Sequence, residues 1–491
     1  MAQTIIAQPQ DFTPAYNPVK YIIDSTNKNL TGFRYTFQIE AGIDVIGTFK
    51  VLPTYGTGYG EIDLSKLLSS YVKWDFDPTV TQDQPAPNSF MTYNINVGEE
   101  YLYEITYTSA LTASGTITRV NVVNIFAVGD QINIVQADGG VANPLLEGLL
   151  TVTASSGTWF EVNVPFSSIT DVNIDGTVSY ADNLKIIEFG VTTIKNKYVF
   201  NGAVTWVDFV TYNEQDYVLN GVTKQWLTNQ PTTDFQCTLG QDLWLNSQAI
   251  VGSQIYFQNS DGDVYSKNII TNEYIVQVAV GPNNYGGLIP LSASPLPMIK
   301  PDTTYYDFWY QNALGQYSQK YRINIDRRVQ INEYVISFLD RKGSFSSFAF
   351  QLKSYERGEV TRDEFNKDVV GFVSGGEWGY NYDEFGFNTF NINVTKTLEL
   401  NTNWMTQNMS DYFQELVTSP QTFLKLVQYV TTEDGTPLLD EDGCPYHSAE
   451  STAYVPCIVQ TNSFEVFQQR NKNLIKQSIV VKLANNDNVN G

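Results

Sequence analysis

Apolar and polar residues alternate in short runs along most of the chain, and a period of two puts one face of each run into a core. In Phe33-Arg34-Tyr35-Thr36-Phe37 the alternation predicts a half-buried strand. Further strands are expected at Met91–Val97, Tyr101–Tyr107, Asn246–Ile255, Val264–Ile270, Tyr334–Leu339 and Phe345–Phe350. One short helix interrupts the first block: Asp63 can cap it, and Leu64, Leu67, Leu68 and Tyr71 follow helical spacing. The clearest helix lies near Trp404–Val417, where Met405, Met409, Tyr412, Phe413 and Leu416 form one stripe and Pro420 ends it. That stripe is read as core rather than as a partner groove. Strands at Phe423–Val430, Tyr454–Val459 and Leu474–Leu483 complete the C-terminal block.

These patterns give a mainly β chain. It is built of β-sandwich-like modules, with a small inserted β domain and an α+β C-terminal domain. Residues 1–118 plus 183–215 form an N-terminal β domain, and 119–182 form the inserted module. Residues 216–325 form a second β-sandwich-like domain, and 326–491 the C-terminal α+β domain. The insert stands out by texture, with one basic residue, Arg119, against seven acids. Its short β runs, Val120–Phe126, Gln131–Gln136, Leu149–Ala154 and Trp159–Val164, are separated by Gly, Asp and Ser turns. On either side, Glu104-Ile105-Thr106-Tyr107 and Ile186-Ile187-Glu188-Phe189 are expected to be two strands of one sheet.

Composition strengthens the β reading. Tyr, Phe and Trp number 31, 28 and 8, Asn reaches 42, and charged residues are only 16% of the 491. Tyr, Phe, Thr and Val suit pleated sheets, whereas long helices draw on Ala, Leu, Glu, Lys and Arg. The net charge of −23 argues against a general nucleic-acid or anionic-membrane binder, which presents Lys and Arg to phosphates, and no specific nucleic-acid binding is expected. Basic residues concentrate between Lys320 and Lys367, interleaved with Asp326, Glu356, Glu359, Asp363 and Glu364. That mixture predicts a salt-bridged surface or subunit contact. Met1–Gln10 has neither a basic start nor an apolar core, and no apolar run approaches the roughly 20 residues that span a bilayer. The expectation is a soluble chain made in the cytosol, without membrane insertion.

The candidate chemistry is sparse. His447 is the only histidine, and no Gly-x-Ser-x-Gly elbow accompanies it. Cys444-Pro445-Tyr446-His447 with Cys457 offers three soft ligands where a structural zinc site wants four, so a loop histidine with two thiols is preferred. A Cys444–Cys457 disulfide is conditional on an oxidising medium. Ser260-Asp261-Gly262-Asp263 and Asp440-Glu441-Asp442-Gly443 resemble fragments of calcium loops, but neither has the full ligand spacing and Asp-Gly is itself a hairpin turn signal. Gly56-Thr57-Gly58-Tyr59-Gly60 lacks the Lys-Ser/Thr of a phosphate loop. No catalytic, cofactor-binding or metal-binding residue is therefore assigned, and no cofactor is expected.

Several strings together carry a resemblance. Pro14-Ala15-Tyr16-Asn17-Pro18 with Gly58-Tyr59-Gly60-Glu61-Ile62-Asp63-Leu64 resembles the start of tail-associated virion proteins of tailed bacteriophages, including crAss-like phages of Bacteroidetes-type hosts. Asn201-Gly202-Ala203, Trp226-Leu227-Thr228-Asn229-Gln230-Pro231 and Phe338-Leu339-Asp340-Arg341-Lys342-Gly343 are similar to segments of the same group. So are Leu400-Asn401-Thr402-Asn403-Trp404, Glu415-Leu416-Val417-Thr418-Ser419-Pro420 and Tyr454-Val455-Pro456-Cys457-Ile458-Val459. Phe126-Ala127-Val128-Gly129-Asp130 and Leu150-Thr151-Val152-Thr153 are similar to small β modules of tail and baseplate proteins. The resemblance implies a non-enzymatic subunit of a tail hub, ring or baseplate in the virion. Such a subunit forms a homo-oligomeric ring and docks to other tail proteins, and DNA passes through the assembly without specific binding. It transfers no catalytic residue. The alternative is a receptor-binding or carbohydrate-binding tail protein with a host receptor as partner. The absence of sustained heptads weighs against a fibre.

Overall fold

In a computed structural model, the chain is described except at residues 1–2, 75–76, 78–82, 103, 109–110, 142, 174, 182–187, 218–223, 249–253, 270–273, 292–296, 313–314, 317, 329–332, 369–370, 380–385, 427–452, 462–474, 485–486 and 490–491. Strands account for 53% and helices for 8%, so the protein is mainly β as its alternation implies. It divides into two compact units. The first comprises Met1–Thr13, Pro18–Leu68 and Met91–Val199, and the second Pro14–Asn17, Ser69–Phe90 and Phe200–Gly491.

The first unit holds a five-stranded sheet in the order Phe12–Pro14, Glu188–Phe200, Phe90–Glu100, Arg34–Ala41 and Asp44–Val51. Tyr35, Phe37 and Ile39 are buried at every second position of the fourth strand, which is the alternation that predicted it. Phe33 precedes the strand and packs edge-on against Tyr35 at 4.8 Å. A three-stranded sheet pairs Gln3–Ala7 and Gly60–Asp63 with Lys20–Ser25. The buried hydroxyls of Tyr21 and Tyr93 meet at 2.8 Å. The helix after Asp63 is a single turn, Ser65–Leu68, so Leu64 and Leu68 are buried but Tyr71 is exposed.

The inserted module has a seven-stranded sheet among the described residues, in the order Leu111–Ser114, Ile117–Val120, Trp159–Pro165, Gly148–Ser156, Gln131–Gln136, Gly176–Tyr180 and Glu104–Tyr107. It has its own core, including Tyr107, Val120, Ile132, Ile134, Phe160, Val162 and Val178. Its sheet therefore begins at Glu104, ahead of the expected boundary at 119. Glu104–Tyr107 pairs with Gly176–Tyr180; of the partner expected at Ile186-Ile187-Glu188-Phe189, Ile186 and Ile187 lie outside the described residues, and Glu188 and Phe189 begin the strand Glu188–Phe200 of the five-stranded sheet. Alternation fixes which face of a strand is buried but not which neighbour it joins, and Tyr107 serves the module core. The strands that bracket the module are Phe90–Glu100 and Glu188–Phe200, neighbours in the five-stranded sheet. Val120–Phe126 is likewise not one strand: pairing stops at Val120, and Phe126 enters the core from a loop in which Asn124 Oδ1 accepts from the Phe126 amide at 3.1 Å.

The second unit packs two large sheets. One follows the order Phe235–Thr238, Tyr321–Asp326, Tyr305–Asn312, Gln254–Asn259, Val264–Asn268 and Ile289–Pro290, with Gly315–Gln316 paired to Tyr305–Asn312. The other runs Tyr355–Asn366, Phe387–Asn401, Ser478–Leu483, Ala453–Val459, Thr422–Leu426, Tyr334–Leu339, Phe345–Phe350, Trp244–Gln248, Ile275–Ala279 and Gln84–Pro85. One hydrophobic cluster draws on both, with Trp226, Phe235, Phe257, Tyr306 and Phe308 alongside Ile336, Phe338, Phe348, Leu400 and Val481. The expected boundary at 325/326 is thus bridged by a single core. The expected strand Asn246–Ile255 is two strands, one in each sheet, so the chain crosses between layers there. The helix Gln407–Thr418 is capped by Thr406 Oγ1 and buries Met409, Tyr412, Phe413 and Leu416 in this core, the role predicted for its stripe.

Candidate assembly interface

The longest pairing among the described residues is a ribbon that carries almost no core. Tyr355–Asn366 runs antiparallel to Phe387–Asn401, in register from Tyr355 opposite Glu399 to Asn366 opposite Phe387, with one bulge that leaves Phe390 unmatched. Twelve residues at roughly 3.3 Å each give about 40 Å of strand. At the base, Leu398 and Leu400 are buried, and Thr397–Asn401 also pairs with Ser478–Lys482. Every residue of Tyr355–Asn366 is exposed, and the strand is the edge of its sheet, so its outer side meets no strand among the described residues.

The sequence explains why neither face is covered. Glu356, Arg357, Glu359, Arg362, Asp363 and Glu364 fall on both faces, so no apolar side exists to bury. At the far end Phe365, Phe387 and Phe390 are exposed by 46, 67 and 67%, and the Phe365 and Phe390 rings lie 6.1 Å apart. Ile392–Val394 pairs on its other side with Asp487–Val489, so only the tip of the ribbon is two-stranded; two strands alone are marginally stable in water, and natural proteins normally shorten, cover or twist exposed edges. This one is long, regular and tipped with aromatics. Other apolar side chains are also exposed: Ile43, Leu52 and Tyr55 in the first unit, and Val128, Val141 and Leu149 on the inserted module. In the second unit, Trp206, Val207 and Val210 stand out from the short helix Trp206–Val210.

The residues singled out for chemistry have structural roles where they are described. Lys300 Nζ lies 3.2 Å from Asp261 Oδ2 and 2.5 Å from Asp263 Oδ2, so an ammonium supplies the charge that a calcium reading would assign to an ion. Gly262, at φ +88°, makes this segment a turn. In the glycine-rich loop, a Cβ at Gly60 would lie 2.4 Å from the Tyr35 ring, and the Tyr35 hydroxyl donates to the Gly58 carbonyl at 2.8 Å. Those glycines allow an aromatic ring to approach the backbone. Cys457 is a buried free thiol 3.6 Å from Thr422 Oγ1. Cys444, His447 and Asp440–Gly443 lie outside the described residues, as do Val427–Val430 of the strand expected at Phe423–Val430. In the basic band, Arg322, Arg328, Arg341 and Arg357 pair with Asp307, Asp326, Glu415 and Glu399, so of the acids interleaved in the band only Asp326 is among these partners.

Two buried polar sites tie the second unit together. Around the turn after Tyr334–Leu339, Asp340 Oδ1 accepts from the amides of Lys342 and Ser344 at 2.9 and 3.0 Å, while Oδ2 accepts from Thr228 Oγ1 at 2.6 Å. Glu415 accepts from the Arg341 amide and from Asn229 Nδ2. The Ala203 amide donates to the Arg341 carbonyl at 2.5 Å. Segments at Asn201–Ala203, Trp226–Asn229, Phe338–Gly343 and Glu415 therefore meet at one turn. Burial, aided by the negative Glu415, pushes the Asp340 carboxyl up to about 7 against the pull of its donors. At the second site Lys425 Nζ contacts Asp242 Oδ2 at 2.6 Å and the Gly240 carbonyl at 2.7 Å, with both side chains almost fully buried. Both sites are filled by protein groups.

No group of three or more His, Cys, Asp or Glu side chains with metal-binding geometry occurs among the described residues. No described helix is long and apolar enough to cross a membrane. Compared with known proteins, the sequence matches no family model, and no curated protein matches it significantly.

Proposed function

We propose that this chain is a non-enzymatic structural subunit of a bacteriophage tail, of the hub, ring or baseplate type, that associates with copies of itself and docks to other tail proteins. The observation that carries the reading is the Tyr355–Asn366 edge, twelve consecutive exposed residues held out as paired β structure. Folding gains little from such a ribbon alone, whereas an assembly gains a ready-made strand edge. The resemblance of the strings around Asp340 supplies the tail context. Exposed apolar side chains on both units and on the inserted module offer further contact area, and cyclic assemblies use several unlike patches of this kind. Within such a tail the acid-rich insert suits a wall past which DNA slides, since phosphates find few counter-charges there.

The reading is tested on particles produced from the genome that encodes the chain. Mass spectrometry of gradient-purified virions is expected to find it in several copies per particle, and antibody labelling to place it on the tail. Recovery from the infected-cell lysate alone, with none in purified particles, would contradict the proposal. An insert facing outward in the particle would sink the channel-wall role specifically.

A further inference from the structure

We propose that the edge strand Tyr355–Asn366 pairs antiparallel with the same strand of a second copy of this chain, centred on Val360. The pairing rests on the assembly reading above and names the partner of that surface. It joins two copies about a twofold axis and leaves ring closure to other patches.

The register follows from the charges. In a twofold antiparallel pairing one residue faces its own copy, and directly opposed residues share a face of the sheet. With Val360 at the centre, Arg357 meets Asp363 of the second copy, Tyr355 meets Phe365, and Glu359 meets Thr361, each contact occurring twice. On the other face Gly358 opposes Arg362 and Glu356 opposes Glu364. Gly358 has no side chain, so the Arg362 guanidinium can lie across it between those two carboxylates. The neighbouring registers are poorer. Centring on Glu359 sets that carboxylate against itself, and centring on Thr361 sets Glu359 against Asp363. Opposite charges and aromatic pairs stabilise cross-strand contacts, and like charges oppose them.

The strand is prepared for such a partner. Tyr355–Asn366 itself is regular, because the bulge places its extra residue on the other strand of the ribbon. Arg357 touches Glu399 on one side yet is 71% exposed, which leaves the rest of its fork of donors for a second carboxylate. Glu356, Glu359, Arg362 and Glu364 meet no ion-pair partner among the described residues.

The test uses the full chain with Arg357→Glu and Asp363→Arg, both at exposed positions outside the core. Sedimentation is expected to show each single variant associating about tenfold more weakly than wild type, since two like-charge contacts replace two opposite ones. Mixing the two variants in equal amounts is expected to restore association. In a mixed pair the carboxylate introduced at position 357 faces the guanidinium introduced at position 363, and the native Arg357 faces the native Asp363. Single variants that associate like wild type, or a mixture that stays weak, overturn the register. A Val360→Cys variant is the independent check. Opposed residues have Cα atoms about 4.5–5.5 Å apart, within disulfide reach. Mild oxidation should give a 360–360 link identifiable by peptide mass, whereas Gly358→Cys, opposite Arg362, should not link to itself. A chain that multimerises without that link refutes the pairing and leaves the assembly reading standing. A chain monomeric at micromolar concentration also refutes the pairing, and its presence in virions then decides the assembly reading separately.

Discussion

Replacing Lys425 by Met tests whether the buried polar sites, and not only apolar packing, hold the second unit together. Lys425 sits in the strand Thr422–Leu426 and reaches Asp242 in the loop before Trp244–Gln248, so the contact ties one strand of the large sheet to the loop entering another. The two side chains are 3 and 5% exposed, and the 2.6 Å contact is reinforced by the Gly240 carbonyl. Removing one partner of such a pair typically costs about 3–5 kcal/mol, because the other charge stays buried and uncompensated. Here Asp242 retains Asn283 Nδ2 at 2.7 Å and the Tyr454 hydroxyl, which places the expected loss near the lower end, about 3 kcal/mol. In Asp242→Asn/Lys425→Met neither charge is left behind, so the double variant should lose less than the sum of the single losses, with a coupling of about 2 kcal/mol or more. Hydrogen–deuterium exchange across strands 244–248 and 422–426 reads this locally, without requiring the whole chain to unfold in one step. A Lys425→Met variant whose exchange in these strands matches wild type would refute the reasoning.

Asp340 has a folded pKa near 7, above the roughly 3.9 of an unfolded Asp, so the stability it contributes is present below about pH 4 and lost as pH rises through 7, by about 4 kcal/mol. Thermal melts of wild type against Asp340→Asn between pH 4 and 8 should show wild type losing ground as pH rises, and a constant difference would remove the burial argument. Gly343→Ala should destabilise by about 2 kcal/mol or more, because φ is +92° and the new Cβ would lie 2.4 Å from the Asn201 carbonyl oxygen; an unchanged melting temperature would contradict it. Hydrogen bonds from Lys300 and Asn259 hold the Asp263 carboxyl below its ordinary range, and an NMR titration of Lys300→Met should move it back up.

Much of the β architecture was legible because buried residues leave a trace in the pattern. Tyr334–Leu339, Phe345–Phe350 and Gln131–Gln136 occupy the segments their apolar runs predict, and the Met409–Leu416 stripe is core. Partner choice was not legible: Glu104–Tyr107 alternates correctly, yet the pattern does not say that it joins Gly176–Tyr180. The shared core of the second unit was not legible either, since Phe235, Phe257 and Phe308 join Ile336, Phe348 and Val481 in one cluster that no local signal announces. The ribbon was the hardest element to foresee. Tyr355–Asn366 buries nothing, so it lacks the alternation that identifies a strand, and only its mixed charges hinted at a contact surface. The turn at Asp340 showed in the sequence as Gly343 after a short apolar run, but its convergence with Thr228, Asn229 and Glu415 belongs to tertiary structure.

The central claim is that the exposed ribbon joins copies of this chain. It is tested most directly by mass photometry of the full chain beside a variant in which residues 358–396 are replaced by a two-residue Asn-Gly turn, which closes the same two strands near their base. The wild-type chain should populate multimers in a concentration-dependent way, and the shortened chain should remain folded and run as a monomer or lose the dimer step. Identical mass distributions for the two proteins would contradict the claim, because the only long open strand edge of the second unit among the described residues would then contribute nothing to association.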